Sequence, residues 1–156
     1  MSISSVVLSS QRINLGDAFF NVGKTKNRDL EAAFNPLVQD GKKLIPSVMC
    51  VFGVGREMFV YLQAYQQAQQ DGQTKSPSSR PFFAFVSLYR GDAKVLETPP
   101  MAVALTASGL VGIAPLSFHL ELNGLSSGEY DCQITVLDVS TAKTTFWRAP
   151  IVIIQQ

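Results

Sequence analysis

The sequence predicts an all-β protein, an antiparallel β-sandwich of about seven to nine short strands with an irregular N-terminal segment. Several segments alternate apolar and polar residues with a period of two, which is typical of strands with one buried face. Turn-forming residues separate these segments at roughly even spacing, and no sustained helical period appears. With 156 residues, 46% hydrophobic and 16% charged, the chain is predicted to form one folded domain, 1–156.

The clearest strand follows a turn at residues 124–128, which contains two glycines. Its apolar face carries Tyr130, Cys132, Ile134 and Val136. Its polar face carries Asp131, Gln133 and Thr135. This alternation predicts a strand that is buried on one side.

The first half of the chain predicts fewer regular elements. Residues 4–10 favour a first strand, and residues 27–34 favour two helical turns begun by Asn27 and ended before Pro36. Segments 44–52 and 58–65 are predicted to pair as a hairpin around the glycines of 53–55. Residues 11–43 are otherwise irregular, and the polar residues 66–80 predict an exposed loop within the domain.

The second half predicts strands almost throughout. They cover 81–89, 93–97, 101–106, 116–122, the strand described above that follows the turn at 124–128, and 144–154. In 116–122 the apolar residues Phe118, Leu120 and Leu122 alternate with His119 and Glu121. Pro150 predicts an edge position or a bulge in the last strand, because proline cannot donate a ladder hydrogen bond.

Charge and hydropathy exclude several kinds of partner. The formal net charge is +1 without a basic run, which argues against nucleic-acid binding. The sequence contains no uninterrupted run of about 18 apolar residues, so no membrane-spanning segment is predicted. The first residues also lack the basic n-region and the small-residue cleavage site of a signal peptide.

No catalytic, cofactor-binding or metal-binding residue is predicted. His119 is the single histidine, and no nucleophile motif accompanies it, so a surface histidine is expected. Gly53-Val54-Gly55 lacks the third glycine and the helix of a phosphate-binding loop. The aspartates do not have calcium-loop spacing.

Several motifs together resemble one family. They are residues 4–9, 35–47, 58–61, 125–130 (Leu-Ser-Ser-Gly-Glu-Tyr) and 146–150 (Phe-Trp-Arg-Ala-Pro). This set is similar to the C-terminal β-sandwich region of exported bacterial proteins related to von Willebrand factor type A domains. Tyr130, two residues before Cys132, also resembles the tyrosine corner of immunoglobulin-like and fibronectin III-like sandwiches. The resemblance implies a non-catalytic module of a longer exported protein, with Met1 an artificial start and no metal role.

Cys50 and Cys132 leave two alternatives open. By the resemblance to immunoglobulin domains they would form a disulfide, which could add about 4 kcal/mol. Against this, no tryptophan follows on the next strand, and buried free thiols are common.

Two predicted strands, 58–65 and 82–89, carry apolar residues on both faces. One face of each would line the core, and the other would present aromatic side chains. These side chains are Phe59, Tyr61, Tyr65, Phe83, Phe85 and Tyr89. Either residues 11–43, with Phe19, Phe20, Leu30 and Phe34, cover this row, or a protein partner does. We therefore expect protein contact with a sibling domain or a second copy. A carbohydrate-binding module using Tyr61, Tyr65 and Tyr89 is the first alternative, and an enzyme or its accessory domain is the second.

Overall fold

The computed structural model describes residues 1–15, 35–67, 82–103, 106–108, 111–139 and 141–155. These residues form strands and turns, and none of them forms a helix that could cross a membrane. The helical turns predicted at 27–34 and residues 68–80 of the predicted polar loop lie outside the described residues.

The described strands are numbered in chain order. They are β1 (Ser2–Ile3), β2 (Val7–Asn14), β3 (Val38–Gln39), β4 (Lys42–Pro46), β5 (Val51–Gly53), β6 (Glu57–Gln67), β7 (Phe82–Arg90), β8 (Ala93–Glu97), β9 (Met101–Val103), β10 (Thr106–Ser108), β11 (Val111–Glu121), β12 (Gly128–Asp138) and β13 (Lys143–Ile154). The all-β prediction is confirmed, although the described residues form more strands than the seven to nine predicted.

The strands form two sheets. The first sheet has seven strands in the order β10-β11-β6-β2-β4-β3, and β1 also pairs with β6. The second has six strands in the order β5-β13-β12-β7-β8, and β9 also pairs with β7. Neighbours pair antiparallel, except that β5 runs parallel to β13. Residues 11–15 and 35–46, within or beside the segment predicted to be irregular, mostly belong to β2, β3 and β4.

One apolar core lies between the sheets, and its side chains alternate along the strands as predicted. On β6 the inward residues Val60 and Leu62 are both 0% exposed, and on β12 Ile134 is 0% exposed. The inward residues of β11 are buried, whereas His119 and Glu121 are exposed. A fully buried aliphatic side chain stabilises a fold by about 1.5–3 kcal/mol, so this alternation supplies much of the driving force.

The single strand predicted over 44–52 is wrong. This segment divides into β4, which pairs with β2, and β5, which pairs with β13 in the other sheet. Between them Val48 and Met49 are 95% and 78% exposed, and Cys50 has a φ of +51°. The predicted hairpin is wrong for the same reason, since the turn after β5 carries the chain from the second sheet back to the first.

Pro150 has an edge position, as its lack of an N–H predicts. It pairs with Asp131 of β12, whereas β5 pairs with β13 only from Val152 to Ile154. At Pro150 the strand therefore has a described neighbour on one side only.

Candidate interaction surface

The six aromatic residues predicted to form one surface lie on two different sheets. Phe59, Tyr61 and Tyr65 point away from the core on β6, in the first sheet. Phe83, Phe85 and Tyr89 point away from the core on β7, in the second sheet. The structure therefore places the two groups on opposite outer faces of the sandwich.

The β6 group is largely covered. Phe59 and Tyr61 are only 7% and 5% exposed, and they form a second small core with Leu44, against which Val7 and Leu37 also pack. Burial raises the pKa of the Tyr61 hydroxyl. Leu37, which covers part of this cluster, belongs to segment 11–43, the segment expected to provide the cover. The rest of the cover comes from Val7 of β2 and Leu44 of β4. Phe19, Phe20, Leu30 and Phe34 lie outside the described residues.

Tyr65 is half-buried and belongs to a short polar chain on the same face. Its hydroxyl donates a 2.6 Å hydrogen bond to Oε1 of Gln63. The Nε2 of Gln63 in turn donates a 3.1 Å hydrogen bond to the hydroxyl oxygen of Tyr61. The two tyrosine hydroxyls are therefore already engaged.

The β7 group continues across the second sheet. Phe85 lies opposite Thr135 of β12, and Thr135 lies opposite Phe146 of β13. In the next row Phe83 lies opposite Leu137. We call the outward side chains Phe83, Phe85, Leu137 and Phe146 the outer patch. Phe146 is 62% exposed, and the other three are half-buried.

The last strand carries two more outward apolar residues, which lie beyond Arg148 and Pro150 and so apart from the outer patch. Its outward residues Val152 and Ile154 are 36% and 40% exposed. Its inward residues Ile151 and Ile153 are buried in the core. Sequence reasoning missed Phe146, Val152 and Ile154, yet apolar residues on both sides of the alternation in β13 were the available signal.

Polar side chains cross the same face as a band in which the charges are paired. Arg148 Nη2 lies 2.8 Å from Asp131 Oδ2, and its guanidinium lies 5.2 Å from the centroid of the half-buried Tyr89 ring. At the edge, Lys94 Nζ lies 2.8 Å from Glu97 Oε2. This hydrogen bond lowers the pKa of Glu97 and raises the pKa of Lys94. The band therefore contributes no net charge.

His119 lies on the outer face of the first sheet, as predicted. Its Nε2 is 2.9 Å from Glu57 Oε1, and its ring stacks on Phe59 with centroids 5.0 Å apart. The side chain is 45% exposed. No hydroxyl or thiol in the described part of the chain hydrogen-bonds to the His119 ring, so no nucleophile is aligned with it among those residues.

Cys50 and Cys132 are free thiols in this structure. Cys132 is 0% exposed on β12, and burial raises its pKa to about 12. Cys50 lies beside β13, where its carbonyl accepts a 3.0 Å hydrogen bond from the Val152 amide. Two strand spacings therefore separate the cysteines, roughly 10 Å between Cα atoms, whereas a disulfide needs less than about 7 Å.

Metal chemistry has no support in the described ranges, where no group of three or more His, Cys, Asp or Glu residues is placed to hold an ion. No protein-family model and no curated protein matches this sequence.

Proposed function

We propose that this chain is a non-catalytic interaction module of an exported bacterial protein, and that it contacts protein through the outer face of its second sheet. The observation that carries the proposal is the exposure of apolar side chains on β13, above all Phe146 at 62%. Large apolar side chains that cluster on a surface generally mark a contact site.

We further propose an immunoglobulin-like architecture for the module. Such domains place strands A, B, E and D in one sheet and C, F and G in the other, with C′ added beside C in the variable type. Assigning A, B, C and C′ to β2, β6, β7 and β8, and D to G to β10 to β13, reproduces these neighbours. The hydrogen bond from the Tyr130 hydroxyl to the Ser126 carbonyl, at 2.7 Å, also has the geometry of a tyrosine corner.

The partner that this face suits best is a second copy of the same face. On this face Arg148 pairs with Asp131 and Lys94 pairs with Glu97, and Glu129, opposite Val152, has no ion-pair partner among the described residues. Two such faces therefore meet with little net repulsion. A residue in a sheet occupies roughly 16 Å², so β7, β12 and β13 together offer roughly 500 Å² before side-chain relief is counted. This is the same order as the about 800 Å² that each partner buries in a standard interface. A sibling domain of the parent protein would use the same surface.

Light scattering after size exclusion tests the proposal. We expect wild-type protein to form a dimer as its concentration rises, and Phe146→Asp to weaken dimerisation at least tenfold. Val48→Asp is the matched control, because Val48 is 95% exposed but lies in the crossover between β4 and β5. A monomer at all concentrations up to several hundred micromolar would reject self-association, as would equal weakening by both variants.

Carbohydrate binding has less support. A stacking platform needs exposed rings, but Tyr61 is 5% exposed and lies on the opposite face from Tyr89. Retardation on a polysaccharide gel that Tyr89→Ala abolishes would favour this alternative over protein contact.

Export and kinship with von Willebrand factor type A-related proteins rest on the sequence motifs, chiefly Leu125 to Tyr130. The neighbouring sequence of the full gene product tests both. We expect a signal peptide and a type A domain upstream, and their absence would remove this part of the proposal.

A further inference from the structure

A groove of about 440 Å³ lies on the outer face of the first sheet, opposite the outer patch. Arg12 of β2 and Lys42 of β4 contribute to its walls, together with Glu57 and His119. Phe59 also lines the groove and, at 7% exposed, lies deep in it. The groove therefore combines charged walls with an aromatic base, as small-ligand sites often do.

Arg12 is the unusual member of this groove. Its guanidinium carbon lies 5.2 Å from the centroid of Phe59, and its Nε is buried without a hydrogen-bond partner. Leaving a buried donor of a charged group unpaired is costly, and buried polar groups in folded proteins are nearly always satisfied. Because Arg12 lines the groove and its guanidinium has no acceptor among the described residues, the site points to an acceptor that binds beside it.

Two other arginines in the described part of the chain show what Arg12 lacks. Arg148 lies 5.2 Å from the ring of Tyr89 and forms a 2.8 Å ion pair with Asp131. Arg90 lies 5.7 Å from the ring of Tyr130 and donates a 2.6 Å hydrogen bond to the Ser126 hydroxyl. Each arginine is thus held by an aromatic ring and an oxygen acceptor. Arg12 has the ring but no acceptor among the described residues.

The charges of the groove indicate which acceptor fits. Among the described residues, neither Arg12 nor Lys42 has an ion-paired carboxylate, whereas Glu57 contacts His119. Two cations and one carboxylate leave one positive charge when His119 is neutral. A carboxylate carries one negative charge and matches the guanidinium fork. A phosphate carries a charge of about −1.5 to −2 at pH 7, which exceeds the single positive charge of the groove. Glu57 would therefore repel a phosphate more strongly than a carboxylate.

We infer that this groove binds a carboxylate group, with Arg12 as its bidentate partner and Lys42 as a second cation. The carboxylate belongs either to a small organic acid or to an acidic side chain of a peptide, since both present the same group to Arg12.

Nuclear magnetic resonance titration of ¹⁵N-labelled protein tests this inference at constant ionic strength. The probes are sodium acetate, sodium benzoate, a capped glutamate peptide and inorganic phosphate. We expect the carboxylates to shift the Arg12 Nε–H and His119 signals saturably at millimolar concentration, and phosphate to bind at least fivefold more weakly. Benzoate and the peptide then distinguish the two sources of the carboxylate.

Variants separate this site from general charge attraction. Arg12→Gln should weaken binding at least tenfold, and Arg12→Lys severalfold, because lysine keeps the charge but loses the fork. Arg148→Gln is the matched control and should change binding less than twofold. The inference is overturned if no carboxylate gives a saturable shift, if phosphate binds as tightly, or if Arg148→Gln costs as much as Arg12→Gln. Lys42→Gln, expected to weaken binding two- to fivefold, provides a second variant should Arg12→Gln fail to fold.

Discussion

The hydroxyl of Tyr130 donates a 2.7 Å hydrogen bond to the carbonyl oxygen of Ser126, four residues earlier in the chain. The ring itself is buried at the start of β12, 4% exposed. Arg90 covers the ring and donates to the hydroxyl of Ser126. One phenol thus ties the turn before β12 to the strand on which the core alternation is clearest.

Removing this hydroxyl should weaken the fold without changing it. We expect Tyr130→Phe to lower the free energy of unfolding by about 1 kcal/mol, the net value of one hydrogen bond whose acceptor can turn to water. Urea denaturation measures the change. Tyr89→Phe is the control, because no hydrogen bond of the Tyr89 hydroxyl occurs among the described residues, and it should have little effect. Equal losses in both variants would count against the role of the Ser126 contact.

The aromatic residues should separate into structural and surface classes. Tyr61→Ala should lower the free energy of unfolding by about 3–5 kcal/mol, because the ring is 5% exposed in the small core with Leu44. Phe146→Ala should change it by less than about 0.5 kcal/mol, because that ring is mostly exposed. Chemical denaturation of the two variants checks both. A small loss for Tyr61→Ala would mean that this ring is exposed in solution.

Alkaline pH should destabilise the protein through Cys132. Burial raises the pKa of its thiol from the ordinary 9.0 to about 12. Between these values the unfolded chain loses the proton and the folded chain keeps it. The free energy of unfolding therefore falls by about 1.4 kcal/mol per pH unit above pH 9, and this contribution is fully present below pH 9.

Comparison with Cys132→Ala isolates this contribution from other titrating groups. The stability difference between wild type and variant should be constant from pH 6 to pH 8 and should shrink above pH 9. Parallel stability curves up to pH 11 would be inconsistent with a buried thiol.

Thiol labelling should distinguish the two cysteines. Cys50 is half-buried and should react with a disulfide reagent in the native protein, whereas Cys132 should react only after unfolding. One labelled thiol per native chain and two per denatured chain, counted by mass spectrometry, is the expected result. No labelling in denaturant without reductant would reveal a disulfide.

Local alternation predicted the facing of β12 and β11 correctly, because side-chain direction along a strand depends only on a period of two. It could not predict which sheet a strand joins. Residues 44–52 look like one strand, yet Pro46 ends β4 and the chain crosses to the other sheet before β5. Cys50 consequently lies beside β13 and not across the core from Cys132.

Only part of the candidate surface could be predicted, again because the local pattern does not show which strands become neighbours. Pattern alone showed that β6 and β7 are apolar on both faces, but it could not show that Leu44 covers Phe59 and Tyr61. It also could not show that Phe146 aligns with Phe85 across β12, because register between distant strands is a tertiary property. The unpaired Nε of Arg12 is likewise visible only in three dimensions.

The most direct test of protein contact through the second sheet is a dilution series of amide spectra by nuclear magnetic resonance. We predict concentration-dependent shifts for amides around Phe85, Thr135 and Phe146, with amides of β6 and β11 unchanged. Spectra that do not change from micromolar to millimolar concentration, or shifts confined to the first sheet, would contradict the account.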